Sequence, residues 1–342
     1  MRINALDYLR GLMALCIMIY HYFSWTFHGY DSGTFLGVMG VYGVSIFYIL
    51  SGLTLYHVYH NKLRVSNLFS FFVKRVFRIL PLLWLSILLN IFLLGQSYDV
   101  RTILLNFSGL FGFIDHDNYI TTGAWSIGNE LVFYSVFPVI ILFNKWKSFA
   151  TEIFFTLSLS FGIYFAFLGM DSSENISSQW STYIHPLNQI FLFVGGMLIG
   201  KVIGFKQNNI ISFVLFLLSF LFVLLYQNGG DKINLVSGWN RLIYSFVSFM
   251  LTISFMLIDS AKINRSIDWA LSKLGHISYS LYLLHAIVFW TVARFINRIE
   301  SPTLFLAICI ISTVVVSYYS YNYLELKFAK LAKRLLEKTK QD

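Results

Sequence analysis

The chain has 342 residues, of which 57% are hydrophobic, 19% aromatic and 12% charged. Water-soluble domains carry roughly 25% charged residues, so this composition excludes an ordinary soluble fold. The net charge of +9 does not indicate a nucleic-acid partner, because Lys and Arg occur in short segments between apolar stretches rather than in one patch.

Apolar runs of about twenty residues, the length that lets a helix cross the hydrocarbon core, recur along the whole chain. They fall at 6–24, 38–59, 79–95, 123–143, 149–168, 187–203, 210–226, 240–258, 275–297 and 303–322. The pattern predicts an all-α, polytopic integral membrane protein with about ten transmembrane helices. The first run reads as a retained span rather than a cleaved leader: no small-residue cleavage site follows it, and Asp7 and Arg10 interrupt it. Residues 62–78 (KLRVSNLFSFFVKRVFR) mix Phe with Lys and Arg, as a helix lying on the membrane surface does. The segment 102–114 is apolar but too short to cross, which suits a re-entrant or interfacial piece. Residues 1–326 are expected to form the transmembrane domain and 327–342 a short basic cytoplasmic tail.

Charge sets the expected orientation. With the amino terminus inside, 20 of the 25 basic residues fall in inner segments, and only Arg101, Lys232, Arg241, Arg294 and Arg298 fall outside. Such an asymmetry places both termini in the cytoplasm. Cys16 and Cys309 both lie inside apolar runs, which suits small buried residues rather than a disulfide or metal framework.

Ionisable groups inside a bilayer cost several kcal/mol and need a partner, a water-filled cavity or a task. Arg10 and His21 share the first run, eleven residues apart. On a helix they lie on one face, about 16 Å apart along the axis. Arg10 is then near the cytoplasmic entrance and His21 toward the outer end, which suits anion anchoring at one end and proton chemistry at the other. A snorkelling Arg10 and an interfacial His21 among Tyr20, Tyr22 and Trp25 are the bland alternatives.

Five segments carry a resemblance. RGLMALCIMIYH (Arg10–His21) has an Arg-x10-His spacing, and GVSIFYILSGL (Gly43–Leu53), RVFRILPLLW (Arg75–Trp84), WSIGNELVFY (Trp125–Tyr134) and ISYSLYLLH (Ile277–His285) follow in order. Together they resemble the acyltransferase-3 family of bacterial membrane acyltransferases. Leu83 stands where that family commonly has an aromatic residue, and Gly128-Asn129 stands where it has bulkier or acidic residues. The resemblance implies a multi-pass enzyme of the bacterial cytoplasmic membrane. Such an enzyme takes an acyl group, most often acetyl, from cytosolic acyl-CoA and places it on a hydroxyl of a cell-envelope glycan, lipid-linked or free.

Under that resemblance Arg75 and Arg78, three apart and on one helix face, are the expected site for the CoA phosphates, with Arg10 assisting. Arg suits phosphate because its planar fork presents several fixed donors; contact with inner-leaflet lipid is the alternative. Counting residues from the outer edge puts Glu130 at a depth similar to His21. A carboxylate on one imidazole nitrogen would leave the other to take a proton from an acceptor hydroxyl. His21 and Glu130 are therefore the expected catalytic pair. Trp125, Ser126, Tyr134, Tyr279 and His285 are candidates to line a substrate path, although Ser and Tyr also serve as packing groups between membrane helices. Gly40, Gly43, Ser51 and Gly52 read as small residues that permit close helix approach. His57 and His60 have metal-pair spacing but no acidic or thiol neighbour to complete a site, so no metal is expected. A transporter or flippase of a glycan or lipid precursor is the competing class; it lacks the inverted repeat and paired broken spans usual there. Direct transfer and transfer through an acyl-histidine both fit the enzyme reading.

Overall fold

A computed structural model describes residues 3–27, 31–204, 206–226, 228–296 and 301–338. Arg2, Arg298 and Lys340 of the charge count lie outside the described residues. Among the described residues fifteen α-helices follow in order: α1 (Asn4–Thr26), α2 (Phe35–Tyr59), α3 (Leu68–Phe92), α4 (Val100–Ser108), α5 (Phe111–Ile114), α6 (Ala124–Trp146), α7 (Ala150–Tyr164) and α8 (Trp180–Ile184). Then come α9 (Pro186–Val202), α10 (Asn209–Leu225), α11 (Lys232–Val236), α12 (Gly238–Met256), α13 (Arg265–Phe295), α14 (Pro302–Ser320) and α15 (Leu326–Lys338). Two π-helical turns, Phe165–Gly169 and Tyr321–Glu325, close α7 and α14, and no strand occurs among the described residues.

Seven helices among the described residues are long and apolar enough to cross a membrane. Of the remaining expected spans, α10 is apolar but only 17 residues long. α1 carries Asp7 and Arg10, and α12 carries Arg241 among several serines, which lowers the apolarity of both. The surface helix expected at 62–78 and the span expected at 79–95 are one helix, α3. Phe71, Ile79, Leu83, Ile87 and Asn90 are all buried, so one face continues at helical spacing across the change in composition.

The chain divides into two compact units, Met1–Lys62 with Phe143–Ser278 and Leu63–Leu142 with Tyr279–Asp342. In the first unit α2 is apolar nearly all round and almost wholly buried, as a core helix must be. Its glycines set how close its neighbours come. A methyl group on Gly52 would stand 1.9 Å from the Phe193 carbonyl oxygen of α9, and one on Gly196 would stand 2.1 Å from that of Ile49. Gly40 lies under the Tyr20 ring of α1, and Gly43 lies against Ile17. The start of α1 is locked to the start of α13: Gly11 meets Gly275 backbone to backbone, and the Tyr8 hydroxyl donates to Asp268. Lys201 of α9 pairs with Glu152 of α7 at 2.6 Å.

The second unit is built on α3. The Trp84 indole donates to the Phe107 carbonyl at 2.7 Å, which ties α4 to it. Asn106 donates to the carbonyls of Thr102 (3.0 Å) and Asn118 (2.9 Å) and accepts from the Ile120 amide (3.0 Å), fixing the turn that leads into α6. Phe328 of α15 packs against Phe77 and Trp84 of α3, with ring centres 6.3 and 6.5 Å apart.

Candidate functional site

α1 is continuous from Asn4 to Thr26, so Arg10 and His21 keep their three-turn spacing on one rigid element. His21 is half-buried and lies nearly parallel to Trp25, with ring centres 5.1 Å apart and planes 7° apart. Tyr20 flanks it at 5.6 Å. Stacking one turn along the helix fixes the imidazole plane. Arg10 donates to Asp7 at 2.8 Å within the same helix. The sequence reading used Asp7 only as an interruption of the apolar run. Its spacing three residues before Arg10 is the signal that identifies it as a partner.

The second unit assembles a denser polar group. From α3 come Arg75 and Arg78, from α6 Glu130 and Tyr134, from α13 Tyr279 and Ser280, and from the π turn after α14 Glu325. The Arg75 guanidinium lies 5.8 Å from the centre of the Tyr134 ring, within cation–π range. The Tyr134 hydroxyl donates to Glu130, one turn earlier on the same helix. Arg75, Arg78 and Glu130 are all close enough for their charges to act on Tyr134. The Tyr279 hydroxyl donates to the Ile79 carbonyl at 2.8 Å, one residue beyond Arg78. The neighbouring Ser280 donates to Glu325 at 2.5 Å. Two guanidinium groups, two carboxyl groups and two phenols thus lie on neighbouring helices of one unit. Ionisable groups inside a bilayer need a partner, a water-filled cavity or a task, and here they partner one another in part.

Of the expected substrate-lining residues, Tyr134 and Tyr279 join this group. Trp125, Ser126 and His285 are buried elsewhere in the unit. Ser126 donates to the Gly123 carbonyl and hydrogen-bonds the Tyr282 hydroxyl, each at 2.9 Å, which joins α6 to α13. His285 is fully buried, and its Nδ1 meets the Tyr282 carbonyl one turn back at 2.6 Å. Gly128 has a structural reason: a methyl group on Gly112 of α5 would stand 2.4 Å from the Gly128 carbonyl oxygen, so the two backbones are in contact. A bulkier residue at either position would push α5 off α6.

Glu325 is the member of the group that the sequence reading missed. It lies between the last apolar run and the basic tail, in YNYLELKF, and nothing in its spacing links it to Arg78. The available signal was a lone acid at the end of an apolar span, which needs a counter-charge. Outside the spanning helices, Asp99 caps α4: its carboxylate accepts from the Thr102 amide at 3.0 Å and the Thr102 hydroxyl at 2.6 Å. These bonds hold it below the ordinary carboxyl range.

A family model described as an acyltransferase domain matches residues 3–322 of the chain. No curated protein and no solved structure matches it.

Proposed function

Because the chain belongs to the acyltransferase-3 family, we propose that it moves an acyl group, acetyl above all, from cytosolic acyl-CoA to a hydroxyl of a cell-envelope glycan. An O-antigen, capsule or exopolysaccharide sugar is the class of acceptor meant. The observation that supports this reading is the gathering of Arg75 and Arg78 with Glu130, Tyr134 and Tyr279 within one helical unit. Guanidinium groups suit the phosphates of the donor, and Arg10 is assigned to assist.

In the proposed reaction a His21 ring nitrogen takes the proton of the acceptor hydroxyl, whose oxygen bonds to the thioester carbonyl carbon. The carbon–sulfur bond then breaks, and the leaving thiolate takes the proton back from the imidazolium. The products are an ester and free CoA. Glu130 is the second group assigned to this machinery. Its hydrogen bond to Tyr134 supports the assignment by linking it to the residue under Arg75. The path for acyl group and acceptor is assigned to Trp125, Ser126, Tyr134, Tyr279 and His285.

The membrane arrangement proposed with this reaction has ten spans, the seven long apolar helices together with α1, α10 and α12. Both termini then face the cytoplasm, and the enzyme sits in the bacterial cytoplasmic membrane. Purified protein given acetyl-CoA and envelope glycan should release free thiol and add one acetyl mass to the glycan. His21→Ala should lower both by roughly a hundredfold or more, as loss of a general base does. Unchanged thiol release in that variant would assign the base elsewhere. Glycan movement across vesicles without any thiol release would establish transport instead.

A further inference from the structure

α14, the π turn Tyr321–Glu325 and α15 run on as one helical stretch of 37 residues. Its surface changes character in order along the chain. Ile311 and Val315 are exposed on α14, then Tyr319 and Tyr323. Five exposed cations follow on α15: Lys327, Lys330, Lys333, Arg334 and Lys338. Apolar, aromatic and cationic is the order a helix meets on passing from hydrocarbon through the interface to the headgroups. The Lys327 ammonium lies 5.6 Å from the centre of the Tyr323 ring, where the last two zones join. Spacing decides what α15 presents. Lys327, Lys330, Arg334 and Lys338 are three, four and four residues apart, so they share one face within about 80° of arc. On the opposite face Ala332 and Leu336 are buried, and Phe328 packs against Phe77 and Trp84 of α3. Leu331 and Leu335, one turn apart, are exposed on the shoulder between the two faces. The one acid of α15 is Glu337, 3.8 Å from Lys333. The turn before α3 and its first turns present the same mixture, with Arg64 and Lys74 exposed along with Phe69 and Phe72.

We propose that α15 is a docking surface for anionic phospholipid: its cationic stripe takes headgroup phosphates while Leu331 and Leu335 enter the acyl boundary. Charge complementarity selects the lipid class, since five cations stand against one carboxylate on this helix. Clusters of roughly four to eight Lys and Arg beside a membrane helix attract acidic headgroups in this way. The leucine shoulder selects a lipid over a soluble phosphate. A free anion would satisfy the cations and leave both leucines in water, whereas a bilayer surface is charged above and apolar below. Long Lys and Arg stems suit that border, because they lie along apolar surface and keep their charge at the headgroups.

The test is native mass spectrometry of the full chain in detergent, titrated with phosphatidylglycerol or with phosphatidylcholine of the same acyl chains. The parent chain should bind phosphatidylglycerol about tenfold more tightly. K330Q/R334Q/K338Q should bring the two lipids within about twofold of each other. K262Q/R265Q/K273Q removes the same charge from the other unit and should keep the preference. An equal loss in that control would make the preference an effect of net charge and overturn the proposal, as would a parent chain that does not distinguish the lipids. Inorganic phosphate that displaces phosphatidylglycerol at equal concentration would assign the stripe to a soluble anion. A dimer lost in K330Q/R334Q/K338Q would assign it to a second copy of the chain. Either result overturns the docking of lipid. Should the triple variant fail to fold, salt decides: the preference of the parent chain should collapse at about 0.5 M, where screening shortens to a few ångströms, and a preference that survives overturns the proposal.

Discussion

Arg241 sits in the first turn of α12 with no exposed surface. Its Nη2 donates to the Gln189 side chain at 2.8 Å and to the Asn188 carbonyl at 3.2 Å. The rings of Tyr183 and Phe191 lie 5.8 and 5.6 Å from its guanidinium carbon. A buried cation with uncharged partners depends heavily on each of them. Replacing Gln189 by Leu should therefore cost about 2 kcal/mol, the usual loss for a hydrogen bond to a charged group. The measurement is the shift in thermal unfolding in detergent. The charge count treats Arg241 as one of five outer cations, and nothing in the local sequence reveals its burial. By contrast, the pairing of Arg10 with Asp7 was missed although the sequence carries its signal, the three-residue helical spacing. The hydrogen bond from Ser280 to Glu325 joins residues 45 positions apart, and no periodicity within one helix could expose it.

At the scale of elements, the α2–α9 contact is the most demanding. Backbone meets backbone at Gly52 and Gly196, so even the smallest added side chain must force the helices apart. Gly52→Ala should destabilise the chain by about 3 kcal/mol, the upper end for overpacking, and should lower the yield of folded protein from membranes. Size-exclusion behaviour and thermal transition together would read this out. The glycines were legible as small residues for close approach, whereas their partners on α9 were not. α4 offers a milder test. Asp99 titrates below the ordinary carboxyl value of 3.8 because Thr102 hydrogen-bonds its charged form. Its folded value being depressed, the cap is fully present above 3.8 and is lost as pH falls through the lower folded value. Amide exchange at Thr102 and Ile103 should accelerate there, corrected for intrinsic rates, and Asp99→Ala should show the fast exchange at every pH. The sequence reading divided α3 where composition changes from basic and aromatic to aliphatic. Helices answer to the continuity of a buried face, and that face runs through the division.

At the scale of the whole molecule, class and family were legible because both depend on features that repeat. Apolar runs of membrane length occur from end to end, and five segments recur in family order. The number of spans is harder to read, since α1 and α12 carry charged and hydroxyl groups that lower their apolarity. α10 has a different reason: its outer surface is strongly apolar, with Ile210, Phe213 and Leu225 largely exposed, but it is short. Its 17 residues make an apolar column of about 25 Å, against roughly 30 Å of hydrocarbon in an ordinary bilayer. Reconstitution into phosphatidylcholines of stepped chain length should accordingly give the highest thermal transition in a thinner member of the series. In the proposed ten-span arrangement, lipid tails bordering such a column must shorten by disordering, so this flank would carry a collar of pinched membrane wherever the protein drifts.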